Sequence, residues 1–86
     1  MRYRIEFAKS FERQLKKLSK NEQKMVFKKI EILEQSTFHP SLRTKKVQGF
    51  EDIFECSVNM DIRILWRYKD GKIILLLDIG HHGILS

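Results

Sequence analysis

An Asp-Gly pair, Asp70-Gly71, stands between two apolar runs that end near Tyr68 and begin at Ile73. That arrangement constrains the fold more than any other feature of the chain. Asp-Gly between apolar runs is a strong hairpin signal, because both central residues of a type I′ turn need φ > 0. A two-residue turn would pair Lys69 with Lys72. Arg63 would then lie opposite Asp78, Leu65 opposite Leu76 and Arg67 opposite Ile74 on one face. The other face would pair Ile62 with Ile79, Ile64 with Leu77, Trp66 with Leu75 and Tyr68 with Ile73. This second face is wholly apolar or aromatic, so it belongs to the core. The first face carries two arginines and an aspartate, which a purely structural strand pair does not require. The arginines point to an anion.

The rest of the chain supplies a cover for that hairpin. Residues 2–7, RYRIEF, alternate with Tyr3, Ile5 and Phe7 on one side, as a half-buried strand does. Phe11, Leu15 and Leu18 form an i, i+4, i+7 stripe, and Ser10 is a candidate helix cap. Asn21 is a plausible cap for a second helix, whose stripe is Met25, Val26, Ile30 and Leu33. These patterns predict helices near 9–19 and 21–35, joined so tightly that they form a helical hairpin. Residues 35–50, QSTFHPSLRTKKVQGF, are irregular, and Pro40 forces His39 out of helical geometry. Residues 52–58 form a further strand. A three-residue connection, Asn59-Met60-Asp61, would pair Val58 with Ile62, Cys56 with Ile64 and Phe54 with Trp66 toward the core. It would place Ser57 beside Arg63 and Glu55 beside Leu65. The shorter alternative mixes polar and apolar residues on both faces. The expectation is therefore a single domain over 1–86, α+β, in the order β-α-α-β-β-β. Four strands make a curved antiparallel sheet, and the helical hairpin packs on its Trp66/Leu75/Leu77 face.

Bulk properties narrow the function classes. A chain of 86 residues is one domain and buries roughly 60–65% of its unfolded surface. The lone cysteine, Cys56, excludes an internal disulfide and a cysteine-rich zinc site. The N-terminus lacks the apolar core of a signal peptide, and the longest apolar run, Ile73 to Leu77, has five residues. No membrane association and a reduced, cytoplasmic setting are expected. The net charge is +6. Residues 1–50 hold 13 Lys and Arg against 5 Asp and Glu, whereas residues 51–86 hold 4 against 6. A polyanion, either nucleic acid or an acidic protein, is the natural partner of the N-terminal part.

Three stretches, HPSLRTKKVQG at 39–49, FECSVNMDIRILWRY at 54–68 and DIGHHGIL at 78–85, carry a resemblance. With the β-α-α opening, the chain resembles the RelE/ParE superfamily of toxins from type II toxin-antitoxin systems. Within it, the chain is similar to the RelE/StbE and YafQ-like mRNA interferases. The resemblance implies RNA cleavage on the ribosome, by attack of a ribose 2′-OH on the adjacent phosphate. It implies a cognate antitoxin, with the ribosome and mRNA as further partners and no cofactor. His82 falls on a histidine used as general acid or base. Asp61 falls on an aspartate at the start of a strand, and Arg63 on an arginine held against the scissile phosphate. Lys45 falls near a loop position where YafQ-like enzymes keep a histidine. Ser57 stands where those enzymes keep another histidine and RelE keeps a lysine.

Each of these residues also has a bland explanation. Histidine suits proton transfer because its unperturbed pKa is about 6.5, yet His82 is also a strand-end residue without a necessary task. His81 would point to the other side, as a structural neighbour. Arg63 could pair with Asp78 across the sheet, and Asp78 could equally orient it for phosphate. Asp61 is by default a turn former. Arg43, Lys45 and Lys46 suit a phosphate clamp but would look the same in a solvated loop, and Arg67 is open to both readings. A zinc site from His39, His81, His82 and Asp61 lacks ligand spacing. Cys56 belongs to the core rather than to a nucleophile. Two alternatives to the nuclease remain: inhibition of DNA gyrase in the manner of the ParE branch, and non-catalytic RNA binding.

Overall fold

The computed structural model describes residues 2–81, so His82 lies outside the described residues. The elements run β1 (Arg4–Phe7), α1 (Lys9–Lys16), α2 (Lys20–Gln35), a 3-10 turn (Pro40–Leu42), β2 (Lys45–Lys46), β3 (Phe54–Ser57), β4 (Ile62–Lys69) and β5 (Ile73–His81). The strands form one sheet in the order β1-β5-β4-β3-β2. The fold is the expected α+β layout of a helical hairpin on a sheet. The sheet is mixed rather than antiparallel throughout, because β1 runs parallel to β5. Alternation in residues 2–7 reports a half-buried strand, but not which neighbour it takes or in which direction. There are five strands rather than four, since Lys45–Lys46 adds a short edge beside β3.

The helices are held by different groups from those expected. Ala8, in extended geometry, precedes α1 without a side-chain cap. Ser10 lies within the helix and donates its hydroxyl to the carbonyl of Leu77, which ties α1 to β5. Ser19, not Asn21, caps α2. Glu22 N donates to Ser19 Oγ at 3.1 Å, and Ser19 N donates to Glu22 Oε1 at 2.9 Å. This reciprocal pair is a capping box, which satisfies two backbone donors that the first helical turn leaves unpaired. Gln23 Nε2 then donates to the carbonyls of Leu15 and Leu18, at 3.0 and 3.1 Å. One side chain thus closes the end of α1 and fastens it to α2.

The core lies between the helices and one face of the sheet. Phe11, Val26, Leu33, Leu42, Ile62, Ile64, Trp66, Ile74 and Leu76 have no exposed surface. Trp66 is the centre of an aromatic cluster. Phe54 stacks on it at 4.7 Å, and Tyr68 meets it edge-on at 5.0 Å. Aromatic contacts of this kind add about 0.5–1.5 kcal/mol each beyond their buried area. None of the described helices is long and apolar enough to cross a membrane.

The expected β3–β4 register is present: Phe54 pairs with Trp66, Glu55 with Leu65, Cys56 with Ile64 and Ser57 with Arg63. The β4–β5 register is different. The turn spans Asp70, Gly71 and Lys72, so Lys69 pairs with Ile73. Asp70 and Gly71 do take positive φ, at 54° and 76°. A register shift between Leu65 and Trp66 then leaves Leu77 as an extra residue on β5: Trp66 faces Leu76, whereas Leu65 faces Asp78. The core side of β5 is therefore Ile74, Leu76 and Ile79, not Ile73, Leu75 and Leu77. Every residue from Ile73 to Leu77 is apolar, so alternation could not detect a slip of one. As a result Arg63 faces Gly80 rather than Asp78.

Candidate functional site

The β3–β4 connection shapes the site. Asn59 Oδ1 accepts from the backbone N–H of Asp61 and of Ile62, both at 2.8 Å. A short amide that bonds its own backbone two residues on is a standard way to fix a turn. Val58 N donates to Ile62 O at 2.9 Å and closes the connection. The turn leaves the carbonyl of Asn59 facing Arg63. Arg63 Nη1 donates to that carbonyl at 2.6 Å and to Ile62 O at 3.2 Å. Its Nε lies 3.9 Å from Glu55 Oε1, and Lys45 Nζ lies 3.7 Å from the same oxygen. Only 14% of the Arg63 side chain is exposed, against 68% for Lys45. Arg63 is thus a positioned cation. Among the described residues its Nη2 donors have no partner, which leaves them available to an anion.

The open face of the sheet gathers Lys45, Glu55, Ser57, Arg63, Leu65, Arg67 and Asp78, because paired residues in adjacent strands share a face. Lys46 is separated from Lys45 by strand alternation: it pairs with Phe54, on the helix side. Asp78 does not meet Arg63. Its Oδ1 accepts from Ile79 N at 2.9 Å. Glu55 takes the place expected of Asp78. Asp61 is exposed within the turn, and among the described residues it makes no ion pair. Arg67 Nη1 donates to the carbonyl of Tyr68 at 3.3 Å. His81, exposed at the end of β5, pairs with Ile62 and so lies to the helix side.

Beside Arg63 the structure opens a cleft of about 260 Å³, between α2, the 3-10 turn and the β3–β4 connection. Lys29, Ser41, Arg43, Ser57, Asn59 and Met60 line it. Arg43 stands there with a left-handed backbone, φ 51°, that follows the 3-10 turn. Sequence reasoning missed Lys29 and Asn59 here, and Glu55 as the partner of Arg63. Lys29 comes three residues after Val26 and four before Leu33, so it borders the apolar stripe of α2. That spacing was a usable signal. Glu55 already stood beside Ser57 on the polar face in the sequence register.

Two groups contribute nothing to chemistry here. Burial, with the Glu55 charge adding to it, pushes the Cys56 thiol up to about 12, so it is not a thiolate nucleophile. His39 Nδ1 bonds Ser41, by its backbone N–H at 3.1 Å and its hydroxyl at 2.9 Å. Among the described residues no three His, Cys, Asp or Glu side chains gather as a metal site.

Comparison with known proteins gives one family. Residues 5–85 match the model for the ParE toxin of type II toxin-antitoxin system, parDE. Among curated proteins none matches the sequence. Among solved structures, the archaeal RelE–RelB complex from Pyrococcus horikoshii contains a chain 22% identical, with a TM-score of 0.80. That match covers 98% of this chain and 99% of the other. A metal-bound toxin from Helicobacter pylori is 25% identical over all of both chains, with a TM-score of 0.78. The YoeB dimer from Staphylococcus aureus is 14% identical, with a TM-score of 0.79, covering 95% of this chain and 99% of that one.

Proposed function

Because the chain belongs to the ParE toxin family of type II toxin-antitoxin systems, we propose that it is a toxin that cuts mRNA on the ribosome and so stops translation. The protein is a toxin of the RelE/ParE superfamily; the nuclease activity is the step beyond that. The observation that supports it is the cationic tract formed by Arg63, Lys45 and the adjoining cleft. Arg63 is held at 2.6 Å by the Asn59 carbonyl, and among the described residues its Nη2 donors make no hydrogen bond. A fixed guanidinium of this kind suits the charge that develops on phosphorus, because it needs no reorganisation during reaction. The 2′-OH attacks the adjacent phosphate and forms a cyclic phosphate, while the 5′-oxygen of the next nucleotide leaves with a proton. His82, assigned from the sequence, is the acid or base, and Asp61 assists it. Lys45, Lys46, Arg43 and Arg67 hold backbone phosphates. Ser57 lies beside Arg63 as a neutral hydrogen-bond donor. Holding the RNA in line is then the task of the ribosome, which supplies rate through orientation.

An antitoxin is the second partner. Phe7 and Phe27 are 41% and 46% exposed and, with Leu15, line an apolar groove between β1 and the helices. A groove of this kind next to lysine-rich helices suits an acidic amphipathic segment. The similar archaeal structure is a RelE–RelB complex, and the similar Mycobacterium tuberculosis structure is the toxin-antitoxin complex RelBE2.

Primer extension on translated mRNA tests the nuclease directly. Expression should produce cuts that require ribosomes, and His82→Ala should reduce them by about 10²–10⁴-fold. The matched family model favours a second reading, inhibition of DNA gyrase without RNA cleavage. Growth arrest with intact mRNA and altered DNA supercoiling would establish that one instead.

A further inference from the structure

We infer that the cleft bounded by α2, the 3-10 turn and the β3–β4 connection is a phosphodiester subsite for single-stranded RNA, next to the position of Arg63. The inference rests on that RNA reading and deepens it: Arg43 and Ser57 already belong to the reading, and Lys29, Asn59 and Met60 join them in one cleft. Two cations, Lys29 and Arg43, line the cleft, and among the described residues no carboxylate does. Lys29 Nζ makes one long contact, 3.4 Å to the carbonyl of Ser41, and so keeps other N–H donors unengaged. Among the described residues the Arg43 guanidinium and the Ser57 hydroxyl have no hydrogen-bond partner. Two cations with an idle hydroxyl are the recognition set for a phosphate.

The volume, about 260 Å³, lies just below the ordinary range of small-molecule pockets, which suits a phosphate with its sugar rather than a whole cofactor. At the lip, Met60 is 88% exposed. A polarisable thioether at that place gives a base an apolar surface to rest on. This favours a nucleotide over a wholly acidic peptide without apolar side chains, which would have no use for Met60. The cleft is also continuous with the candidate site. Ser57 pairs with Arg63, and Asn59, whose carbonyl binds Arg63, is part of the cleft wall. An RNA backbone crossing Arg63 therefore has its neighbouring phosphate directed to Lys29 and Arg43.

The test separates binding from cleavage by using a short fluorescein-labelled 2′-O-methyl oligouridylate, which has no attacking hydroxyl. Anisotropy on the full chain should show Lys29→Glu and Arg43→Glu weakening binding about tenfold or more. The slope of log K against log salt should fall by about 0.7 for each phosphate that the protein no longer neutralises. Lys29→Arg should retain binding. Lys24→Glu, an equal charge change elsewhere on α2, should have a much smaller effect. Met60→Ala should weaken the oligonucleotide but leave inorganic phosphate unchanged, with phosphate followed by amide shifts at Ser57 and Asn59. Wild-type oligonucleotide affinity in both glutamate variants would overturn the subsite. So would variants that lose only a polyglutamate peptide, which would make the cleft a protein-docking site. If the oligonucleotide depends on the cleft but ribosome-bound mRNA is never cut, the subsite stands and the nuclease reading falls.

Discussion

Arg63 reaches back over its own strand to the carbonyl of Asn59, 2.6 Å from Nη1. The most catalytically suggestive side chain is therefore also a brace for the turn in front of it. The two roles predict different variants. Arg63→Ala should lower mRNA cleavage by about 10²–10³-fold, as loss of a preorganised charge donor does. It should also destabilise the fold by roughly 1–3 kcal/mol, since a part-buried carbonyl is left without its charged donor. Arg63→Lys keeps a charge but not the fork that binds turn and phosphate together. Its stability should recover more than its activity. Thermal melts beside primer extension would read both, and equal recovery of the two would reduce Arg63 to a structural role.

The helix boundary gives a second prediction. Ser19 and Glu22 exchange hydrogen bonds at the start of α2. Ser19→Ala should cost about 0.5–2 kcal/mol. Asn21→Ala, inside the first turn and exposed, should stay within about 0.5 kcal/mol. Chemical denaturation with a fixed m-value distinguishes them. A larger effect at Asn21 would mean that the capping box is not formed in solution.

This contrast shows what the sequence makes legible. Ser19 and Asn21 are both good caps, and only the reciprocal Glu three residues after Ser19 separates them. Residue type alone does not reveal the cap; the spacing to Glu22 does. The β3–β4 register was readable because polar Ser57 and Glu55 alternate with apolar Cys56 and Val58, so a slip would have mixed the faces. The β4–β5 register was not readable near the turn, because Ile73 to Leu77 contains no polar residue to report a slip. That slip and the extra residue Leu77 on β5 together moved Arg63 from Asp78 to Gly80, and so hid Glu55 as its partner. The parallel pairing of β1 is non-local, and alternation carries no information on it. The cleft brings together residues from α2, the 3-10 turn, the end of β3 and the β3–β4 connection. Its charges were visible individually, but their convergence depends on the packing of those four elements.

The hairpin turn gives a third prediction. Gly71 has φ 76°, and a Cβ built there would meet nothing within 4 Å. Gly71→Ala should therefore cost only the strain of the left-handed backbone, about 1–2 kcal/mol. Asp70, at φ 54°, already bears that strain with a side chain. Asp70→Gly should be neutral or stabilising in the folded state, whereas Asp70→Val should be worse than either, because a β-branched residue fits that region least. A series of melts orders the three. Destabilisation by Asp70→Gly beyond that of Gly71→Ala would show that the Asp70 side chain holds the turn in a way that its backbone conformation does not explain.

Cys56 provides a fourth prediction, in which the sign can be worked through. Burial raises its thiol from 9.0 to about 12. Below pH 9 the thiol is protonated in both the folded and the unfolded chain, so it contributes no pH dependence. Above pH 9 the unfolded chain ionises and the folded chain cannot, so folding must retain a proton that the unfolded state releases. Stability should fall as pH rises from 9 toward 12. Lysines and tyrosines titrate in the same window, so the useful quantity is the difference from Cys56→Ala. That variant should be less stable at pH 7, because it leaves a small void beside Trp66 and Ile64. The gap should narrow as pH rises through the window, since only the parent protein carries the thiol penalty. Consistently, iodoacetamide at pH 8 should modify Cys56 only at the rate at which the chain opens. Rapid alkylation of the folded protein, or a gap independent of pH, would show that the thiol is far less buried than the β3–β4 register requires.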